Sequence, residues 1–283
     1  MKTKLILFEG IPGSGKSTLA RKSMSALRKK KFEGILYQEG CLHPANLDGY
    51  AIIPANELNM LISKFPKYAD KIQSHMIPTD EYFLIQMQKD YSSTSAIFQY
   101  LKPYSVWYNG LNYDLFQRVH QERWENFSTQ NNQNNITSIF DCAFLQNHIT
   151  ELMLSYEKSK KDIISYFQSL EERIMQLNPF LFYLQQRDVG ETIRRITEQR
   201  IKEPDGRPWG ERVAEMISTS RYGISHSLNG YSGMVEFFKR RKEMDLLVLQ
   251  SLSINHILIN NDNYEWKNMQ KKMLEILEKL TNK

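Results

Sequence analysis

Apolar positions along this chain fall into two kinds of run, continuous and helically spaced. Leu5-Ile6-Leu7-Phe8 is continuous, the pattern of a parallel strand buried on both faces. Leu19, Ser23, Ala26 and Leu27 follow at helical spacing, and Arg28 to Lys31 give that helix a basic end suited to its dipole. Ile35-Leu36-Tyr37 reads as a second short strand. From 50 to 127 the spacing is helical: Leu58, Leu61, Ile62 and Phe65 up to Pro66, then Tyr68, Ile72 and Met76. Leu115 and Val119 belong to a further helix ending near Trp124, and no strand is expected in this stretch. The polar tract Gln130 to Asn135 predicts a surface loop. Ser138 to Phe140 is a third strand and Phe180 to Leu184 a fourth, separated by helices, the clearer one carrying Ile163, Phe167, Leu170 and Ile174 and stopped by Asn178-Pro179. Val189, Ile193 and Ile196 mark one helix, and Trp209, Val213, Met216 and Ile217 the next. Tyr222 to Gly233 holds three glycines and predicts a loop, with Ser232 as a candidate N-cap of the stripe Met234, Phe237, Phe238, Met244 and Val248. His256 to Ile259 is a fifth strand, and Met269, Met273, Ile276, Leu277 and Leu280 form a closing amphipathic helix.

Five strands alternating with helices predict one α/β domain over 1–283, a five-stranded parallel sheet with helices on both faces. Residues 43–127 read as a mainly helical insertion and a candidate acceptor-binding element, and 187–233 as a lid-like region. An apolar share of 41% and a charged share of 24% exclude a mainly disordered chain. No apolar run approaches the roughly 18 residues of a membrane helix, so no membrane partner is expected. Leu5 to Phe8 is too short for a signal peptide, and Cys41 and Cys142 make no disulfide framework. The expected setting is the cytoplasm. The net charge of +5, from 37 basic and 32 acidic residues, suits an anionic small substrate better than a nucleic acid, which calls for a denser basic face. Composition says nothing of oligomeric partners.

Gly10-Ile11-Pro12-Gly13-Ser14-Gly15-Lys16-Ser17 fits G-x-x-x-x-G-K-[ST] between a buried strand and a helix start, the context a phosphate-binding loop requires. The glycines let backbone N–H groups turn inward around phosphate oxygens, and the helix N-terminus adds its positive end. The pattern assigns nucleotide binding to Gly10, Pro12, Gly13, Ser14, Gly15, Lys16, Ser17 and Thr18. Lys16 reaches the outer phosphates, Ser17 ligates Mg²⁺, and the expected cofactors are ATP and Mg²⁺. Glu39 and Asp141 each follow a predicted strand, and strand carboxyl ends line the ligand crevice of a parallel sheet. A carboxylate there can hold a Mg²⁺-bound water or accept a proton from an attacking hydroxyl. His43 is a weaker catalytic candidate. Tyr100, Tyr104, Trp107, Tyr108 and Tyr113 either line a base or sugar site or form core.

Phe8-Glu9-Gly10 through Thr18 resembles the opening of thymidylate kinases and deoxynucleoside kinases. The resemblance implies a P-loop NTPase fold with a helical insertion and a lid. It puts Glu39 where deoxynucleoside kinases carry their base. Asp141 matches the Asp of the Asp-Arg that ends the third strand of thymidylate kinases, with Cys142 in place of the Arg. Tyr183-Leu184 and the helix from Val189 resemble the fourth strand and lid helix. Arg194, Arg195 and Arg200 fall near the lid arginines in an open register, and Arg195 and Arg200 are taken as catalytic with Lys16, Glu39 and Asp141. Tyr37-Gln38-Glu39-Gly40, Arg123-Trp124 and Asp141 to Asn147 look more like a group of uncharacterised bacterial kinase-like P-loop proteins. The implied reaction is phosphoryl transfer from ATP to a small-molecule acceptor, with a nucleoside or nucleotide among the candidates; the alternative is a P-loop ATPase acting as a nucleotide-dependent switch on a protein partner.

Overall fold

The computed structural model describes residues 2–281 apart from 30, 32, 40–42, 80, 108–110, 135, 202–205, 263 and 265. Lys30, Gly40, Cys41, Tyr108 and Asn135 of the sequence reading lie outside the described residues. The chain divides into two compact units, Met1–Asn46 with Gln121–Lys283, and Leu47–His120.

The chain opens with β1 (Leu5–Glu9), α1 (Lys16–Lys29) and β2 (Gly34–Tyr37), all in the larger unit. The smaller unit holds β3 (Tyr50–Pro54), α2 (Leu58–Lys64), α3 (Ala69–His75), β4 (Ile77–Pro78), β5 (Tyr82–Gln86) and α4 (Ala96–Leu101), and the boundary falls within α5 (Tyr113–Asn132). The larger unit continues with β6 (Thr137–Asp141), α6 (Gln146–Leu154), α7 (Lys160–Ile174), β7 (Phe180–Gln185), α8 (Val189–Gln199), α9 (Trp209–Thr219) and α10 (Arg221–Ser225). It closes with α11 (Gly230–Ser251), β8 (Asn255–Asn260) and α12 (Trp266–Thr281).

The five predicted strands form one parallel sheet in the order β2-β6-β1-β7-β8. Chain direction across the sheet reverses at β1, which creates the switch point where parallel sheets bind ligands. Alternate side chains along each strand feed opposite layers. Ile6, Phe8, Ile139, Phe182 and Ile259 pack on Leu19, Met24 and Leu27 of α1 and Met273 and Leu277 of α12. Phe140, next to Ile139, turns the other way, onto Trp124 and Phe127 of α5, and Phe144 meets Phe167 of α7. Helices therefore cover both faces. With the phosphate loop after β1, this is the α/β arrangement of a P-loop NTPase. Among the described residues no helix is long and apolar enough to cross a membrane.

Three expectations are corrected. The stretch from 50 to 127 does contain strands: β3, β5 and β4 form an antiparallel sheet in that order. They are short, and β3 is buried at four consecutive positions, so the alternation that reveals a half-exposed strand is missing. Second, α5 continues through Asn132 and takes in the start of the polar tract. Its amides find partners at the helix end, with Asn131 Nδ2 donating to Lys4 O and Asn132 O accepting from Lys4 Nζ. Third, Tyr222 to Gly233 is mostly helical. Ser220 Oγ accepts the Gly223 N–H and starts α10, and α11 begins at Gly230 after Asn229, not after Ser232.

Candidate active site

The turn from Gly10 to Gly15 links β1 to α1, and Gly10, Gly13 and Gly15 have φ of +144°, +81° and +95°, values that other residues adopt only with strain. One of them also lacks room for a side chain and a second is tightly packed. A Cβ on Gly10 would lie 2.6 Å from Leu184 O, and one on Gly13 3.1 Å from Thr192 O and Ile196 Cβ, so α8 packs directly on the loop.

Side chains from other elements hold the loop's carbonyl oxygens. Gly10 O accepts from Arg241 Nη2 at 3.0 Å, Gly13 O from the Tyr264 hydroxyl at 2.8 Å, and Ser14 O from Asn261 Nδ2 at 2.6 Å. In a planar peptide the carbonyl and the following N–H point opposite ways. Fixing the Ser14 carbonyl on Asn261 thus aims the Gly15 N–H away from Asn261. Lys16 opens α1 and is buried, its Nζ donating to Ile11 O at 2.9 Å.

A cavity of about 600 Å³ opens on this loop, within the size range of small-ligand sites. Pro12, Gly13, Gly15, Lys16, Ser17 and Thr18 line it with Arg21, Glu39, Gln146 and Tyr264; α8 adds Arg195, Ile196 and Gln199, the residue after it Arg200, and α9 Trp209. The structure therefore brings Lys16, Ser17, Glu39, Arg195 and Arg200 to one space. Arg195 lies over the Tyr264 ring, 4.3 Å from its centroid. Arg194 points elsewhere: it is exposed and paired with Glu191 at 2.8 Å and Glu198 at 2.5 Å.

Asp141 ends β6 in register with Phe8 of β1, is 2% exposed, and does not line the cavity. Its Oδ1 is buried and has no hydrogen-bond partner among the described residues. An orphaned carboxylate oxygen one strand from the phosphate loop is a fitting acceptor for a metal-bound water. Among the described residues no three His, Cys, Asp or Glu side chains converge on a metal site. Ser17, which lines the cavity, and the buried Asp141 are the side chains that could hold a divalent ion together with ligand phosphate oxygens. Cys142 follows with φ +63°, in a region costly for a side chain, and burial pushes its thiol well above the usual range.

Glu39 accepts from Gln146 Nε2 at 3.0 Å. Glu9, fully buried at the end of β1, sets Gln146 in turn: Oε1 accepts the Phe144 N–H at 2.7 Å and Oε2 the Gln146 N–H at 3.1 Å. His43 is not at the cavity. Its Nδ1 accepts the N–H groups of Ala45 and Asn46 at 3.0 and 2.7 Å, its ring sits 4.0 Å from that of Phe140, and burial, then Arg123, lowers its pKa to about 3. It is a neutral turn-former. Tyr100 and Tyr104 pack on the core of the smaller unit, and Trp107 is buried against Phe116 and His120.

Sequence reasoning missed Arg21, Tyr264 and Gln146 as cavity residues. Arg21 stands four residues after Ser17, which helical spacing places on the same face. Tyr264 follows the fifth strand, where the strand-end rule applies.

No family model matches the chain, and no curated protein does. Among solved structures it is similar to the thymidylate kinase of Candida albicans, with 14% identity over 98% of this chain and 92% of that one and a TM-score of 0.40. A fold of this kind hosts many chemistries, so function is read from the site.

Proposed function

We propose that this chain is an ATP- and Mg²⁺-dependent phosphotransferase acting on a small-molecule acceptor, with nucleosides and nucleotides as the first class to test. The observation that carries the reading is the cavity that Lys16, Ser17, Glu39, Arg195 and Arg200 share. When bound, ATP with Mg²⁺ supplies the γ-phosphoryl group and its charge neutralisation. Lys16 and the loop amides hold the phosphates in place. Ser17 and the buried Asp141 hold the metal, directly or through water. Glu39, kept in orientation by Gln146, accepts the proton of the attacking hydroxyl. Arg195 and Arg200 stabilise negative charge that grows on the transferring group. Residues 43–127 are offered as the acceptor-selecting element, because chain order takes them out from Glu39 and back toward Asp141. Residues 187–233, which supply both arginines, are offered as a lid.

The test is transfer of label from γ-labelled ATP to a panel of nucleosides, nucleotides and sugars. With an acceptor found, Glu39→Gln should lower turnover by about 10²-fold while leaving MgATP affinity within about twofold. A Glu39→Gln protein with wild-type turnover removes Glu39 from the reaction. Hydrolysis of ATP with no labelled product from the panel contradicts the acceptor class.

A further inference from the structure

Beside the phosphate loop lies a fully buried charge cluster that the roles above leave unused. Arg241 and Asp245 stand one turn apart on α11, each with no exposed side-chain surface, and Arg241 Nη2 donates to Asp245 Oδ2 at 2.7 Å. The Tyr183 hydroxyl of β7 donates to the same oxygen at 2.8 Å. The remaining bonds of the guanidinium go to main-chain carbonyls: Nη2 to Gly10 O at 3.0 Å and Nη1 to Gln146 O at 3.1 Å. Gly10 is the first residue of the phosphate loop. Gln146 is the first residue of α6, and its side chain holds Glu39.

A buried ion pair is a poor way to fill space, because apolar side chains of similar volume serve stability as well or better. What an apolar side chain cannot do is bind two carbonyl oxygens at once. A lysine keeps the charge but lacks the rigid, planar fork of donors. The two carbonyls belong to segments far apart in the chain, and Glu9, the neighbour of Gly10, ties the same segments by accepting the Phe144 and Gln146 N–H groups; Arg241 is the side chain that binds a carbonyl of each.

We propose that Arg241 is a positioning residue: it locks the start of the phosphate loop and the start of α6 in one register, and Gln146 passes that register to Glu39. The Glu39 arm rests on the phosphotransfer reading; the two carbonyl contacts do not. Asp245 and Tyr183 hold the guanidinium in the orientation that serves both carbonyls. The position was partly legible in sequence, since Arg241 and Asp245 interrupt the apolar stripe of Phe237, Phe238, Met244 and Val248 at helical spacing.

The test compares full-length wild type with Arg241→Lys, which retains the buried cation beside Asp245 and loses the fork. Amide hydrogen exchange is measured without nucleotide, and MgATP affinity by calorimetry. The expected result is exchange at least about tenfold faster in residues 10–17 and 142–147, unchanged exchange in α7, and MgATP binding about tenfold weaker. If the lysine variant does not fold, the double variant Arg241→Met, Asp245→Leu replaces the ion pair with apolar volume, and the same result is expected. Exchange in both segments within about twofold of wild type, in a folded variant, overturns the proposal. So does acceleration spread over the whole chain, the sign of a merely structural role, and so does faster local exchange with unaltered MgATP affinity. A wild type that takes up no MgATP would defeat the phosphotransfer reading instead, and the exchange result alone would then decide the role of Arg241.

Discussion

Glu9 carries a carboxyl into a fully buried position. Burial outweighs its backbone N–H donors and the nearby Lys16 and lifts its pKa from 4.5 to about 7. Between those values the folded protein keeps a proton that the unfolded chain has released. The stability that Glu9 contributes is therefore full below pH 4.5 and is lost as the pH rises to 7, an effect on the order of 3 kcal/mol. His43 and His120 act in the opposite sense. Burial lowers their pKa values from 6.5 to about 3 and about 4, so their contribution is present above pH 6.5 and is lost as the pH falls. The two trends oppose each other in mildly acidic solution, and a variant separates them. Relative to Glu9→Gln, wild type should lose about 2–3 kcal/mol of unfolding free energy between about pH 5 and 8, read from urea titrations. Parallel pH profiles for the two proteins would show that Glu9 does not titrate in this window.

The helix α8 decides which of its arginines meets the cavity. Arg195, Ile196 and Gln199 share the face that lines it, while Arg194 is tied to Glu191 and Glu198 on another. Arg195→Ala is expected to lower phosphoryl transfer by about 10²-fold, whereas Arg194→Ala should leave it within about twofold. Equal effects of the two changes on initial rates would contradict this orientation of α8. That orientation was legible in part, since acids three residues before and four after Arg194 give it partners along its own helix. The strands β1, β2, β6, β7 and β8 were legible as apolar runs, and with them the strand ends at Glu39 and Asp141. The strands β3, β4 and β5 were not: β3 and β5 are short and buried at nearly every position, and β4 is only two residues long, so none shows a period. The polar end of α5 was not legible either, because composition does not reveal that Asn131 and Asn132 meet Lys4 from the far end of the chain. Nor could spacing show that His43 folds back on the amides of Ala45 and Asn46 and is thereby withdrawn from the chemistry.

Across the whole molecule, the site follows from where the sheet changes direction. The strand order β2-β6-β1-β7-β8 puts the phosphate loop at the centre, with Asp141 on one neighbour of β1 and Tyr183 on the other. Distant parts of the larger unit then converge on it: α8 packs on Gly13, the residues after β8 hold the Gly13 and Ser14 carbonyls, and α11 holds that of Gly10. Lys16, Arg21, Arg195 and Arg200 set four cations against Glu39 in one cavity, which suits a polyanionic ligand. The most direct test is calorimetric titration of MgATP into wild type and Lys16→Ala at matched thermal stability. Saturable binding by wild type at one site, weakened at least about tenfold in Lys16→Ala, is the predicted result. Equal affinity in the two proteins, or no binding by wild type, would contradict the account.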